Sequence, residues 1–128
     1  MNCGLDHVAL GVKDFDIQLQ FLTETMGLKL KRLGTRHSTG SRIAFLADHE
    51  SDFKIELVEV SDEETGVLHL AFRVDDVYTE YQNSITNGLT SIREPHELSS
   101  AKAKTALLQF GSGMKIQIIE YASDSPDI

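Results

Sequence analysis

An internal repeat constrains this chain more than any other feature. The segment Leu5-Asp6-His7-Val8-Ala9-Leu10-Gly11-Val12-Lys13-Asp14 lines up with Val67-Leu68-His69-Leu70-Ala71-Phe72-Arg73-Val74-Asp75-Asp76, and His, Ala, Val and Asp recur in register. Met26-Gly27-Leu28 then matches Asn87-Gly88-Leu89, and Lys54-Ile55-Glu56-Leu57-Val58-Glu59-Val60 matches Lys115-Ile116-Gln117-Ile118-Ile119-Glu120-Tyr121. With only five histidines in 128 residues, a matched histidine, two matched strand segments and a matched glycine turn are not a coincidence of composition. The chain reads as two copies of one module of about 60 residues.

Each copy has the same order of elements. Leu5–Val12 alternates and carries β-formers, which predicts a strand. Asp14 is a good N-cap for a helix running to about Met26, with Phe15, Leu19 and Leu22 on one face. Gly27 is placed to end that helix in a left-handed C-cap. Strands are expected at Leu28–Leu33, Arg42–Ala47 and Phe53–Val60. In the second copy the order is strand Val67–Val74, N-cap Asp75 or Asp76, a helix to Asn87, Gly88, and strands near Leu89–Glu94, Lys104–Phe110 and Met114–Tyr121. Each module is therefore βαβββ, an α+β pattern. Gly34–Gly40 and Pro95–Lys102 read as longer loops, Ser61–Gly66 as a solvated acidic linker, and Ala122–Ile128 as a frayed tail.

Composition narrows the function classes. Twelve Lys and Arg against twenty Asp and Glu give a net charge of -8, so nucleic acid and anionic membrane surfaces are unlikely partners. No apolar run approaches the ~20 residues of a membrane-spanning helix. Met1 to His7 has neither a basic stretch nor a long apolar region, so no signal peptide is expected. Cys3 is the single cysteine, which excludes an internal disulfide and fits a reducing cytoplasm.

Face membership follows from strand parity. His7 shares a face with Leu5, Ala9 and Gly11, and His69 shares one with Val67 and Ala71. The bulky opposite faces, Val8, Leu10 and Val12 or Leu68, Leu70, Phe72 and Val74, are the ones a helix should cover. Glu56 and Gln117 occupy one face of the last strand of each copy, opposite Ile55 and Leu57 or Ile116 and Ile118. A lone strand histidine is usually a hydrogen-bonded structural residue. Two at equivalent positions, each with an oxygen donor in its own module, point instead to a divalent-metal site made by His7, Glu56, His69 and Gln117.

At these residues the chain resembles the vicinal oxygen chelate superfamily, also called the glyoxalase/bleomycin-resistance/dioxygenase superfamily. The resemblance covers nearly the whole chain. It implies a single glyoxalase-like domain over residues 1–128, made of modules 4–61 and 66–122. The paired βαβββ modules would form a curved, open mixed sheet around a metal site whose ligands map onto His7, Glu56, His69 and Gln117. Zn, Ni or Co is the expected metal, with Fe or Mn as alternatives. In glyoxalase I the last ligand is usually Glu, so Gln117 is a departure. Members of this size are usually homodimers.

The resemblance implies a lyase or isomerase of the lactoylglutathione lyase type. Such an enzyme shifts a proton between adjacent carbons of a thiol conjugate or thioester through a metal-bound enediolate. Glu56 is then both ligand and candidate catalytic base. A methylmalonyl-CoA epimerase-like enzyme and a non-catalytic small-molecule or antibiotic-binding protein of the same fold are the alternatives. A ring-cleaving dioxygenase would need a carboxylate where Gln117 stands. Glu59 and Glu120 read as strand-end surface carboxylates, and His37, His49 and His96 as solvated loop residues. Arg36 or Arg42 is a possible clamp for an anionic substrate. Arg73, on the His69 face, is a further candidate for anion contact, although a solvated strand-end arginine is the simpler expectation.

Overall fold

The two halves of the repeat become strand, helix and three strands twice over. The computed structural model describes residues 3–36 and 39–128. Its strands are β1 (Cys3–Val12), β2 (Lys29–Thr35), β3 (Arg42–Ala47), β4 (Lys54–Glu59), β5 (Gly66–Val74), β6 (Thr90–Leu98), β7 (Ala103–Gln109) and β8 (Lys115–Tyr121). Its α-helices are α1 (Phe15–Gln20) and α2 (Val77–Thr86). The strands make a mixed sheet, the α+β arrangement expected from the repeat. By packing, His7–Leu68 forms one compact unit, and His69–Ile128 together with the start of β1 forms another.

In the first unit the strand order is β2-β3-β4-β1, with β4 parallel to β1 and antiparallel to β3. Parallel pairing sets Ala9 opposite Glu56 and Leu10 opposite Leu57. Phe15, Ala44 and Leu57 are buried on one face with Leu10, Val12, Leu19 and Leu22 packed on them. Ala9, Ile43, Phe45 and Val58 are buried on the other. The sheet is thus apolar on both sides, as parallel pairing requires.

The helix expected to run from Asp14 to Met26 changes character part-way. α1 has six residues and continues as a π-helical turn, Phe21–Thr25. The Thr23 hydroxyl donates to the Leu19 carbonyl at 2.9 Å, a side-chain bond that competes with the regular ladder. Asp14 begins the helix through its carbonyl, which accepts from Gln18 N–H, and its side chain caps nothing. Gly27 ends the segment at φ +77°, as its position predicts.

The second unit has the order β5-β8-β7-β6. β5 and β8 are parallel, with Ala71 opposite Gln117 and Phe72 opposite Ile118, the same register as in the first unit. Val74, Val77, Ala106, Leu108 and Ile118 bury one face against α2, and Ala101, Ala103 and Ile119 bury the other. Asp76 caps α2 by accepting from Thr79 N–H. Glu120 is not a surface carboxylate: its Oε1 accepts the Val77 N–H at 3.0 Å, where a negative charge suits the helix start.

Two expectations fail in this unit. The loop expected at Pro95–Lys102 is half strand, because β6 continues to Leu98. β6 lies at the sheet edge, and register shifts around Arg93 to His96 accommodate Pro95 there. The tail Ala122–Ile128 is docked and not frayed. Ala122 N–H donates to the Lys102 carbonyl, the Ser125 hydroxyl donates to the Ala101 carbonyl, and Asp127 is only 1% exposed.

Gly11 sits where no side chain fits. A Cβ there would lie 2.6 Å from the Glu64 carbonyl oxygen and 2.9 Å from Val60 Cγ2. Gly11→Ala is expected to destabilise the protein by about 1–3 kcal/mol, read as a lower urea midpoint at unchanged slope.

Candidate metal centre

His7 is 1% exposed on β1, with Ala9 and Gly11 as small neighbours on its face. Its Nε2 lies 3.5 Å from Glu56 Oε1, and its ring meets the Phe45 ring edge-on at 5.3 Å. The β1–β4 register sets Lys54 and Glu56 on this face, opposite His7 and Ala9. Lys54 is buried there, and nothing in its local sequence signals that.

In the second unit Ala71 stands beside His69 on β5, and Gln117 stands opposite Ala71 on β8. The Thr105 hydroxyl donates to the Ile118 carbonyl at 2.8 Å. Its oxygen is left to accept, and Gln117 Nε2 donates to it at 2.9 Å. That chain of donors fixes which end of the amide is which. Gln117 Oε1 is buried and has no hydrogen-bond partner among the described residues.

Three of the four expected ligands are grouped. His7, Glu56 and His69 each offer one ligand atom, and these atoms lie within 4.8 Å of one another. Two imidazole nitrogens and a carboxylate oxygen are a donor set for a divalent transition metal. A buried amide oxygen with no partner fits a further position in such a set.

Other expected residues fall elsewhere. His96 lies on β6, where its Nδ1 is 2.8 Å from the Glu94 carbonyl oxygen, and His49 is exposed in a turn. His37 lies outside the described residues. Arg42 is no substrate clamp: it bonds Glu59 and Asp16 at 2.8 and 2.9 Å and stacks over Phe15. Its hydrogen bond to Glu59 holds that carboxyl below its usual range. Arg36 lies 3.9 Å from Glu64.

Arg73 is not simply solvated. Its Nε and Nη2 both donate to Asp6 Oδ1, at 3.3 and 3.1 Å, and its guanidinium lies over the Tyr121 ring. The Tyr121 hydroxyl donates to Asp6 Oδ2 at 2.6 Å. Asp6 is fully buried. A carboxylate inside a strand of β-formers was the available signal, but its partners are 67 and 115 residues away.

Comparison with known proteins decides the family. Residues 4–108 match the family described as the Glyoxalase/Bleomycin resistance protein/Dioxygenase superfamily. The chain belongs to that superfamily. Lactoylglutathione lyase of Haemophilus influenzae is 29% identical over 124 residues, spanning 91% of this chain and 92% of that protein. A hypothetical protein of Bacillus halodurans matches with a TM-score of 0.81 at 27% identity, covering 98% of this chain and 99% of the other. Methylmalonyl-CoA epimerase of Mycobacterium tuberculosis matches with a TM-score of 0.80 at 25% identity, covering 93% and 88%. Among the described residues of this superfamily member, no helix is long and apolar enough to cross a membrane.

Burial, and then the Asp6 carboxylate, push the Tyr121 phenol far above its ordinary pKa. A raised pKa means that the folded chain keeps a proton the unfolded chain releases. The associated stability is present below the ordinary phenol value near ~10 and is lost as pH rises above it. Tyr121→Phe is expected to cost about 1–2 kcal/mol at pH 7. The wild-type advantage should shrink from pH 9 to 11, as followed by urea unfolding across that range.

Proposed function

We propose that this chain is a divalent-metal-dependent lyase or isomerase of the glyoxalase type, moving a proton between adjacent carbons of a small-molecule substrate. The grouping of His7, Glu56 and His69 carries the reading. In it, those three residues and Gln117 hold the ion, with Zn, Ni or Co as the expected metal. Both histidines are present and buried or half-buried, which favours this reading over a non-catalytic binding protein.

Once bound, a divalent ion supplies Lewis acidity toward two neighbouring substrate oxygens. The remaining work belongs to the chain. Glu56 is the carboxylate at the site and is half-buried, so it is the group that takes and returns a substrate proton, a contribution of roughly 10²–10⁴-fold. The apolar face of Ala9, Ile43, Phe45 and Val58 keeps water from competing for that proton. Thr105 acts as the orienting group for Gln117: an amide presents oxygen or nitrogen depending on its flip, and the Thr105 hydroxyl selects oxygen.

The lyase relative covers nine-tenths of both chains, which supports a thiol conjugate as the substrate class. The structural match to a methylmalonyl-CoA epimerase supports a second reading, an acyl-CoA thioester handled by the same proton transfer.

Two measurements test the proposal. Elemental analysis is expected to find about one divalent ion per chain, lost in a His7→Ala/His69→Ala variant. Equal metal content in both proteins would remove the site. The metal-loaded protein is expected to exchange a substrate α-proton in D₂O with a methylglyoxal–glutathione hemithioacetal or a methylmalonyl thioester. Exchange with neither would overturn the reaction. Thr105→Val, by freeing the Gln117 amide to flip, is expected to weaken metal retention about tenfold in a chelator competition while leaving the unfolding free energy within about 1 kcal/mol of the wild type.

A further inference from the structure

A row of side chains crosses the first unit toward His7. Cross-strand register sets Arg32 on β2 opposite Phe45 on β3, Phe45 opposite Glu56 on β4, and Glu56 opposite Ala9 on β1. The register of β2 shifts between Leu30 and Arg32. A bulge of this kind re-aims the side chain that follows it, so Arg32 pairs with Phe45 although Leu30, two residues earlier, pairs with Leu46. The Arg32 guanidinium lies over the Phe45 ring, 5.2 Å from its centroid. Gly34 leaves the space that the guanidinium takes: a Cβ there would lie 2.7 Å from Arg32 Nη1. Phe45, only 5% exposed, then meets the His7 imidazole at 5.3 Å, with the two ring planes 86° apart.

Such a contact decides the plane of the imidazole. The last torsion of a histidine is broad and by itself permits many ring planes. An edge-to-face neighbour favours one of them, because the positive edge of one ring must meet the negative face of the other. The cation over Phe45 fixes the phenyl plane in turn. In the orientation so selected, His7 Nε2 lies 3.5 Å from Glu56 Oε1, with nitrogen and oxygen facing each other. The second copy of the repeat does this differently. Arg93 stands opposite Leu107 across the same kind of register shift, so the arginine recurs and the aromatic ring does not. Arg93 is exposed and Arg32 is half-buried.

We propose that Phe45 is a positioning residue for His7, and that Arg32 acts through Phe45, so that the imidazole is set for a divalent ion in advance. The inference deepens the metal-site reading and rests on it for the ion. It gives the two histidines different parts. His7, 1% exposed, is the fixed ligand, and His69, half-buried on a strand whose unit has Leu107 in place of the ring, is the one that adjusts. In the second copy the fixed donor is Gln117, held by Thr105.

Imidazole nitrogen NMR on the metal-free full-length protein, followed by Zn²⁺ competition against a chromogenic chelator, tests this without turnover. Phe45→Leu installs the residue that the second copy carries at this place. It is expected to broaden or double the His7 ring signals, to leave those of His69 unchanged, and to weaken Zn²⁺ retention about tenfold. Arg32→Gln is expected to act in the same direction by about threefold. It lies on an edge strand and keeps Phe45, so it serves if Phe45→Leu unfolds. Because Arg32 acts through the ring, adding Arg32→Gln to Phe45→Leu is expected to lose nothing further. Sharp His7 signals with wild-type Zn²⁺ retention in Phe45→Leu overturn the proposal. Equal broadening of His7 and His69 also overturns it, since that marks general loosening of the sheet. Additive losses in the double variant remove the part assigned to Arg32. A His7 ring that is ordered in wild type and disordered by Phe45→Leu, in a protein that retains no Zn²⁺, keeps the positioning and removes the metal site.

Discussion

Parallel pairing of the first and last strand of each repeat copy is the constraint on which the rest depends. β1 beside β4 puts Ala9 opposite Glu56, and β5 beside β8 puts Ala71 opposite Gln117. A histidine two residues before each alanine then shares a face with an oxygen donor two strand positions away. Parallel neighbours cannot be joined by a tight turn, so α1 or α2 and two further strands must intervene. Those intervening elements supply the apolar layers, Leu57 under Phe15 and Ile118 under Val77, that bury both sides of the pairing. The small residues Ala9, Gly11 and Ala71 leave room beside the histidines, while the bulky residues fall under the helices. One register thus sets both the core and the candidate metal centre.

Most of that register was legible in the repeat. Strand parity alone separated His7 and Glu56 from Leu10 and Leu57, and the buried clusters divide the same way. Periodicity reports which face a residue occupies, because the face is a local property of the backbone. It does not report what the residue meets. Arg42 reads from sequence as a substrate clamp, and Glu59 and Glu120 read as surface carboxylates. Each is held by a partner that the chain brings back from 17 to 43 residues away. The docked tail is a failure of the same kind. Ala122 to Ile128 has no periodicity to report a partner, and its order comes from Ala101 and Lys102, which the pairing of Ala103 with Tyr121 brings beside it.

Burying Asp6 beside a candidate metal ligand is costly in isolation, since a carboxylate moved out of water loses several kcal/mol of hydration. The cluster offsets that loss with three hydrogen bonds, two from Arg73 and one from Tyr121. Such a network does little for net stability compared with an apolar core. What it achieves is orientation: Asp6 is the residue next to His7, and a fixed side chain at Asp6 pins the strand segment that carries the imidazole. The raised phenol of Tyr121 belongs to the same economy, because the neutral hydroxyl is the form that can donate to Asp6.

The two copies are alike in their apolar positions and differ in their polar ones. Glu56 corresponds to Gln117, Ile43 to Thr105 and Gly11 to Arg73. These differences depend on one another. A carboxylate offers oxygen whichever way it turns, so an isoleucine serves at position 43. An amide turned the wrong way would offer hydrogens to a cation, so Gln117 needs the hydroxyl of Thr105 with its own proton committed to the Ile118 carbonyl. Replacing one carboxylate with an amide also leaves the donor set one negative charge short of a symmetric pair. Among the four candidate ligands Glu56 is then the one carboxylate, and the amide that replaces it in the second copy is the one that carries its own orienting hydroxyl.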